Sequence, residues 1–258
     1  MGKPILNELF ETKNKHIEEV PAIDKDEFIK AVKSRRSVRN FTDEPVLEKD
    51  MRECLELTLL APNSSNLQPW EFYWVRSAEN KQKLISYCLG QPAASTAQEL
   101  VVAVARPDFW KVNQKRMLAL IDEMGEKAPK SVKKYYGKIV PLAYQQGFLS
   151  IKGYIKKIAM EFRGLKKPTP REPYNKKGMA VWAHKSTALA CENLMLSLRA
   201  YGYDSCPMEG MDSARIKKLL DLSSPAEISM VISAGKRAEN GVYGKQIRFE
   251  SKYFIHEV

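Results

Sequence analysis

"SRRSVRNF" (residues 34–41) sets three arginines, Arg35, Arg36 and Arg39, within five positions around Ser37 and Val38. Cations this close repel one another in water and are most comfortable beside an anion, so the stretch asks which anion it serves. The residues before it, "IDKDEFIKAVKSRRS", read as a helix. Asp24 can cap it, Glu27 follows three positions later as in a capping box, and Phe28 and Val32 form an i, i+4 apolar pair. The arginines therefore fall at a helix C-terminus. Cations there gain from the carbonyl end of the dipole, while a cluster of forked guanidinium donors also suits a phosphate bidentately. No G-x-x-x-x-G-K-[ST] occurs, and no G-x-G-x-x-G follows a strand, which argues against a P-loop and a Rossmann site.

The totals narrow the class of protein. A chain of 258 residues holds one large domain or two small ones, and 44% apolar with 28% charged residues is ordinary for a soluble globular protein. No run of about 18 apolar residues predicts a membrane span. The start, "MGKPILNELFETKNKH", has no apolar h-region, and Leu6 stands where a myristoylation signal carries Ser or Thr. The expected location is cytoplasmic. Four cysteines (Cys54, Cys88, Cys191, Cys206) and three histidines (His16, His184, His256) are scattered, so free thiols and no metal site are expected.

The net charge is +11, yet it is not spread evenly. Arg106 to Gly178 carries 18 Lys/Arg against 6 Asp/Glu, leaving the remainder of the chain near neutrality. Such a segment attracts polyanions over a Debye length of about 10 Å at 0.1 M salt. One reading is a solvated lysine face on an amphipathic helix. Another is nucleic-acid binding, with Tyr135, Tyr136 and Phe162 stacking on bases, although no RNA- or DNA-binding motif is present.

Along the chain, "EPVLEKDMRECLELTLLAP" predicts a second helix stopped by Pro62, "WEFYWV" a strand, and "NKQKLISYCL" a short helix. "ELVVAVA" predicts a central strand covered on both faces. "YQQGFLSIKGYIKKIAMEF" places Tyr144, Phe148, Ile151, Ile155, Ile158 and Phe162 at helical steps with lysines opposite, and "REPYNKKG" predicts a loop. "STALACENLMLSLRAYG" predicts a buried helix closed by Gly202, "DSCPMEGMD" a turn with Asp212 as N-cap, "SARIKKLLDL" a helix and "EISMVISAG" a covered strand. Without a strict βαβ rhythm, the class is α+β.

Two further stretches bear on the anion. "APNSSNLQPWEF" gathers Asn63, Ser64, Ser65, Asn66 and Gln68 at a chain reversal, where an Asx-turn loop is the plainer reading. "CPMEGMD" sets Pro207 and Gly210 around Met208 and Glu209, a strand-to-helix turn whose N–H groups could face a ligand. In this order and spacing, "RRSVRNF", "APNSSNLQPWEF", "CPMEGMD" and the tail "GKR…IRF" together resemble the FMN-dependent nitroreductase family, over most of residues 25–105 and 183–250.

That resemblance implies a three-layer α+β fold, a mixed and mainly antiparallel sheet flanked by helices, in an intertwined homodimer. It implies an extension at 1–24 and one domain over 25–258, with 106–180 as a basic helical insertion or lid near the substrate slot. It places Arg35, Arg36, Ser37 and Arg39 on the FMN phosphate and ribityl chain, helped by Lys236, Arg237 and Arg248, with Lys245 as an alternative to Arg248. Pro62, Asn63, Ser64 and Asn66 would reach the flavin of the other subunit, and Gln91 the pyrimidine edge. Pro207, Met208, Glu209 and Gly210 would line the ring, the Glu209 N–H near N5.

The implied activity is NAD(P)H oxidation with ping-pong hydride transfer to a small flat oxidant (a nitroaromatic, a quinone or a flavin), with no catalytic side chain and no nucleic-acid or membrane partner. A deiodinase-like or heterocycle-dehydrogenase branch of the family is the alternative. The basic segment adds an expectation of NADPH over NADH, with the 2′-phosphate met by residues among Lys133, Lys134, Arg163, Lys166 and Lys167.

Overall fold

The run "ELVVAVA" forms the strand β2, Glu99–Ala105, and its alternation explains the architecture of the computed structural model, which describes residues 19–258. Leu100, Val102 and Val104 point to one face of the sheet and join a core with Leu84, Cys88 and Ile216. Val101 and Ala103 point to the other and join Met51, Cys54, Cys191, Leu194 and Leu198. All five of these strand side chains are at most 1% exposed. Full burial of a Val or Leu is worth roughly 1.5–3 kcal/mol, so this strand makes the sheet a middle layer. Helices on both faces give the expected three layers.

Strands β1 (Trp70–Trp74), β3 (Asp204–Met208) and β4 (Glu227–Gly235) complete the sheet in the order β1-β2-β4-β3. Every pair of these strands is antiparallel, and the parallel component is an isolated bridge between Ser37 and Ser205. β3 corrects the turn expected over "DSCPMEGMD". Proline, glycine and acidic residues signal a turn, but β3 lies at the end of the sheet order, where a proline breaks no interior ladder. The turn itself is shorter, and Asp212 accepts from the Arg215 N–H at 3.0 Å as the expected N-cap.

The helices are α1 (Lys25–Ser34), α2 (Glu48–Thr58), α3 (Ala78–Tyr87), α4 (Pro92–Ser95), α5 (Phe109–Glu123), α6 (Lys130–Lys134), α7 (Val140–Tyr144), α8 (Ile151–Gly164), α9 (Lys176–Ala200) and α10 (Ser213–Leu219). Asp24 caps α1 by accepting from the N–H groups of Asp26 and Glu27, while Glu27 pairs with Lys30 instead of returning to the cap. α2 ends at Thr58, four residues ahead of the expected stop at Pro62.

α9 runs for 25 residues through the core on one face of the sheet. It starts earlier than expected, because Asn175 accepts from the Gly178 N–H at 2.8 Å and recruits Lys176–Gly178 into the first turn. It ends as expected. Gly202 takes φ 81°, and the N–H of Tyr203 reaches back to the Leu198 carbonyl.

The long amphipathic helix expected from Tyr144 onward is two helices. Gly147, Leu149 and Ser150 have φ of 73°, 49° and 61°, which separates α7 from α8. α8 also turns the opposite way from its pattern. Gly153 abuts the Tyr174 carbonyl, and the Lys156 ammonium donates to the carbonyls of Ala143 and Pro173, at 2.5 and 2.8 Å. Burial pulls the Lys156 pKa down, partly offset by Glu172. Ile151, Ile155, Ile158 and Phe162 are left exposed. The expectation for residues 1–24 lies, for 1–18, outside the described residues.

Candidate active site

The arginine stretch is sewn to the sheet by backbone bonds. The Val38 N–H donates to the Ser205 carbonyl at 3.1 Å, Arg39 N–H to the Gly241 carbonyl at 2.7 Å and Thr42 N–H to the Lys236 carbonyl at 2.9 Å. Ala238 N–H returns to the Asn40 carbonyl at 3.1 Å. Residues 37–42 thus lie between edge strand β3 and the segment leaving β4, more than 160 residues away in sequence. Three of the four quoted motifs meet here: the arginines, the "CPMEG" strand end and the start of the tail.

The three arginines are half-buried with little compensation from carboxylates. Arg35 has Glu192 at 3.9 Å, Arg36 donates to the Gly244 carbonyl at 2.5 Å, and Arg39 lies 2.6 Å from the Cys206 sulfur. Burial pushes the Cys206 thiol up, opposed by the charges of Arg39 and Arg35. Ser205 Oγ is buried and has no hydrogen-bond partner among the described residues. The forked donors of the three arginines thus exceed the carboxylates around them, which fits an anion with several oxygens, such as a phosphate.

Arg237 behaves differently. It grips Asp204 through two bonds, at 2.6 and 3.2 Å, and Asp204 is further approached by Arg199 at 3.5 Å. Arg199 also donates to Ser34 Oγ at 2.9 Å. Asp204, whose side chain is only 6% exposed, therefore ties α9, β3 and the tail together beneath the arginines. Composition and pattern give no sign of Arg199 or Asp204, since Ser34, the hydroxyl partner of Arg199, and Arg237, the bidentate partner of Asp204, lie 165 and 33 residues away. Lys236 sits over the Tyr203 ring at 4.7 Å, with Glu44 at 3.8 Å.

At the other end of β3, ladder pairing stops at Met208–Val231, and Glu209 and Gly210 are exposed. Gln91 donates to the Gly210 carbonyl at 2.8 Å, which brings that candidate to this turn. A cavity of about 500 Å³ opens beside Glu209 and Met211, its wall made by His184, Ser229 and Met230. His184 sits between Ser229 Oγ at 3.2 Å and Glu227 at 3.0 Å. The scattered histidines gave no hint of this placement, which depends on α9 crossing β4.

In the tail, the Arg36 bond to Gly244 ties the residue beside Lys245 to the cluster, whereas Arg248 donates to its neighbour Ile247. Among the described residues, the loop of Pro62, Asn63, Ser64 and Asn66 makes no bond to the arginines. Its bonds run to the basic segment: Ser64 Oγ lies 3.0 Å from Tyr144 OH, and Ser65 Oγ lies 2.7 Å from Tyr135 OH. Tyr136 is buried and donates to the Ser65 carbonyl, so its ring is closed to a base, and Tyr135 is half-buried edge to face against it. Of the basic candidates, Lys133 pairs with Asp122 at 2.6 Å, and Arg163, Lys166 and Lys167 are exposed. Among the described residues no His, Cys, Asp and Glu cluster could hold a metal ion, and no helix is long and apolar enough to cross a membrane.

The structure thus sets a cluster of arginines on the edge strand of a three-layer α+β fold, whose far end opens into an exposed turn. The chain belongs to the Nitroreductase family, whose profile it matches over residues 32–236. It is similar to YdgI of Bacillus subtilis, at 30% identity over 217 residues covering 83% of this chain and 90% of that one. It is also similar to a Thermus thermophilus protein named NADH dehydrogenase, at 28% identity over 220 residues, 85% of this chain and 91% of the other. A solved structure from Exiguobacterium sibiricum, described as a complex with FMN, superposes with a TM-score of 0.66 at 23% identity, covering 92% of this chain and 98% of that one.

Proposed function

We propose that the protein is an FMN-dependent NAD(P)H oxidoreductase, working as a homodimer on a small flat acceptor such as a nitroaromatic, a quinone or a flavin. The observation that carries this reading is the arginine cradle. Of the three half-buried arginines, Arg35 has Glu192 at 3.9 Å, and among the described residues Arg36 and Arg39 form no ion pair, a surplus of charge that a phosphate would neutralise. The FMN complex of the Exiguobacterium neighbour and the name of the Thermus relative agree with the cofactor and the reductant.

In this reading Arg35, Arg36, Ser37 and Arg39 hold the phosphate and ribityl chain, with Lys236 and Lys245 adding charge. Arg237 acts through Asp204, fixing the floor of the cradle instead of meeting the phosphate. Pro207, Met208, Glu209 and Gly210 border the ring, the Glu209 N–H serving as a donor, and Gln91 steadies that turn through Gly210. Bound there, FMN supplies a ring that accepts hydride from a nicotinamide and passes electrons to the acceptor, which gives ping-pong kinetics. The chain's own task is to orient both molecules in one slot and to place positive charge beside the ring. Residues 106–180 serve as a basic lid over that slot.

Exposed large apolar side chains support the homodimer. Phe28 and Val32 on α1, Ile155 and Phe162 on α8, and Ile247, Phe249 and Phe254 in the tail are all open in the protomer. Large apolar side chains left open in this way are what an interface covers. The loop of Pro62–Asn66 would then face the partner's flavin.

Reconstitution with excess FMN, gel filtration and anaerobic addition of NADPH test the reading together. The expected result is a yellow dimer that bleaches on reduction and regains colour with a quinone. A monomer that retains no flavin after reconstitution overturns it.

A further inference from the structure

The basic segment is tied to the flavin-facing loop through hydroxyl groups. Within residues 63–68, Ser65, Asn66 and Gln68 have φ of 59°, 47° and 43°. Three left-handed non-glycine residues in one short loop persist only where the surroundings over-determine them, and such strain gathers at functional sites. The surroundings here are specific. Tyr144 OH lies 3.0 Å from Ser64 Oγ and 3.1 Å from Ser65 Oγ, and Tyr135 OH lies 2.7 Å from Ser65 Oγ. Tyr136 OH donates to the Ser65 carbonyl at 3.0 Å. From α5, the buried Asn113 amide donates to the Leu67 carbonyl at 2.7 Å and to the Gln68 carbonyl at 3.2 Å.

The tyrosines are themselves fixed before they meet the loop. The Tyr144 ring is 4% exposed and stands against Trp182 at 4.8 Å and Trp110 at 6.4 Å. Tyr135 and Tyr136 meet edge to face at 5.2 Å, at the start of the wide turn Tyr135–Ile139, whose i to i+5 bonding is a form that recurs at functional sites. Burial raises the Tyr136 pKa, with the neighbouring tyrosines adding to it, so its hydroxyl stays a donor at neutral pH. The aromatic packing supplies rigidity, and the hydroxyls transmit it to the loop.

We infer that Tyr135, Tyr136 and Tyr144 are positioning residues: they hold the Asn63–Gln68 loop in its left-handed conformation and so set how that loop meets a flavin. The function of that contact rests on the reading proposed above, while the clamp itself does not. The basic segment is then part of the site's geometry as well as a charged cover.

The test uses the full-length reconstituted protein, with Y135F, Y144F, the double variant Y135F/Y144F, and Y154F as control. Tyr154 belongs to α8 and packs on Tyr174 at 5.6 Å, away from the loop. Removing the hydroxyls while keeping the rings should leave the melting temperature near that of the wild type. Amide hydrogen exchange over residues 62–69 should accelerate at least tenfold in Y135F/Y144F and stay unchanged in Y154F. With FMN bound, the double variant should shift the flavin reduction potential and lower kcat for the acceptor more than it alters KM for NADPH.

Unchanged exchange in the double variant overturns the clamp, whether or not the protein binds flavin. Faster exchange with an unaltered potential and unaltered kcat overturns its role in positioning. If the wild type binds no flavin, the proposed function fails and takes the positioning role with it, and the exchange result still decides whether the clamp exists.

Discussion

Gly241 offers the sharpest test of the strap formed by residues 236–241, which braces the arginine stretch from outside the sheet. A Cβ built on it would lie 2.7 Å from Arg237 Cγ and 2.8 Å from the carbonyl oxygens of both Ala238 and Asn40. Two of these three atoms are backbone, so no rotamer change relieves the clash. The same glycine accepts from the Arg39 N–H at 2.7 Å and donates to the Ala238 carbonyl at 2.8 Å. In Gly241→Ala the strap must therefore move away from residues 39–40. Overpacking of this kind costs about 1–3 kcal/mol, and one lost backbone hydrogen bond adds about 1 kcal/mol. The sum, about 2–4 kcal/mol, corresponds to a fall in Tm of roughly 4–16 °C for a chain of this size.

Gly244, three residues on, is the internal control. Nothing lies within 4 Å of its virtual Cβ, so Gly244→Ala should stay within about 0.5 kcal/mol of the wild type. Thermal melting followed by circular dichroism measures both, and fluorescence titration with FMN reports the accompanying loss of affinity in Gly241→Ala. Equal melting temperatures for the two variants would refute the argument, because only the neighbours of the two glycines differ in it.

Burial pushes the thiols of Cys54 and Cys191 up to about 12 and that of Cys88 to about 11, from an ordinary value of 9.0. A raised folded-state pKa gives stability that is whole below pH 9 and is lost as pH climbs toward 11–12. Tm should therefore decline across that alkaline window, and Ellman's reagent at pH 8 should label these three thiols only after denaturant is added; rapid labelling of the native protein contradicts the burial. Gly153→Ala should loosen α8 locally, since the new methyl would overlap the Tyr174 carbonyl oxygen. Trypsin should then cut residues 150–175 at least tenfold faster with the sheet intact, and equal cleavage rates count against this docking of α8. The positive charge of residues 106–180 should raise kcat/KM for NADPH above that for NADH at low salt, with the ratio falling as salt is added; a ratio of one at every ionic strength removes that role.

The elements that could be read from sequence are those whose pattern and burial agree. β2 is apolar on both sides because helices cover both faces, and the end of α9 carries its own stop in Gly202. The failures come from tertiary override. Pro207 makes β3 look like a turn, yet a proline fits a strand at the end of the sheet, and only the pairing with β4 reveals that strand. In α8 the apolar stripe is genuine but is turned away from the core. A helix normally lays that stripe on its own core, but here Gly153 and Lys156 face inward, because a glycine permits close approach and a lysine finds two carbonyls. Periodicity tells which side chains share a face and is silent on what that face meets.

The same distinction divides the site. The arginines are neighbours in sequence, so their crowding is visible at once and needs only an anion to explain it. Asp204, Arg199 and Arg237 become a unit only when β3, α9 and the tail converge, and a buried acid shared by two arginines leaves no local trace. The tyrosines carry a subtler lesson. Tyr135 and Tyr136 stand in a lysine-rich run, where rings suggest stacking on bases, but the hydroxyls, 70 and 71 residues from their partners at Ser65, decide their role. A tyrosine in a basic segment invites a reading from its ring and its charged neighbours, whereas in this fold the ring is spent on packing and the oxygen is the part left to act.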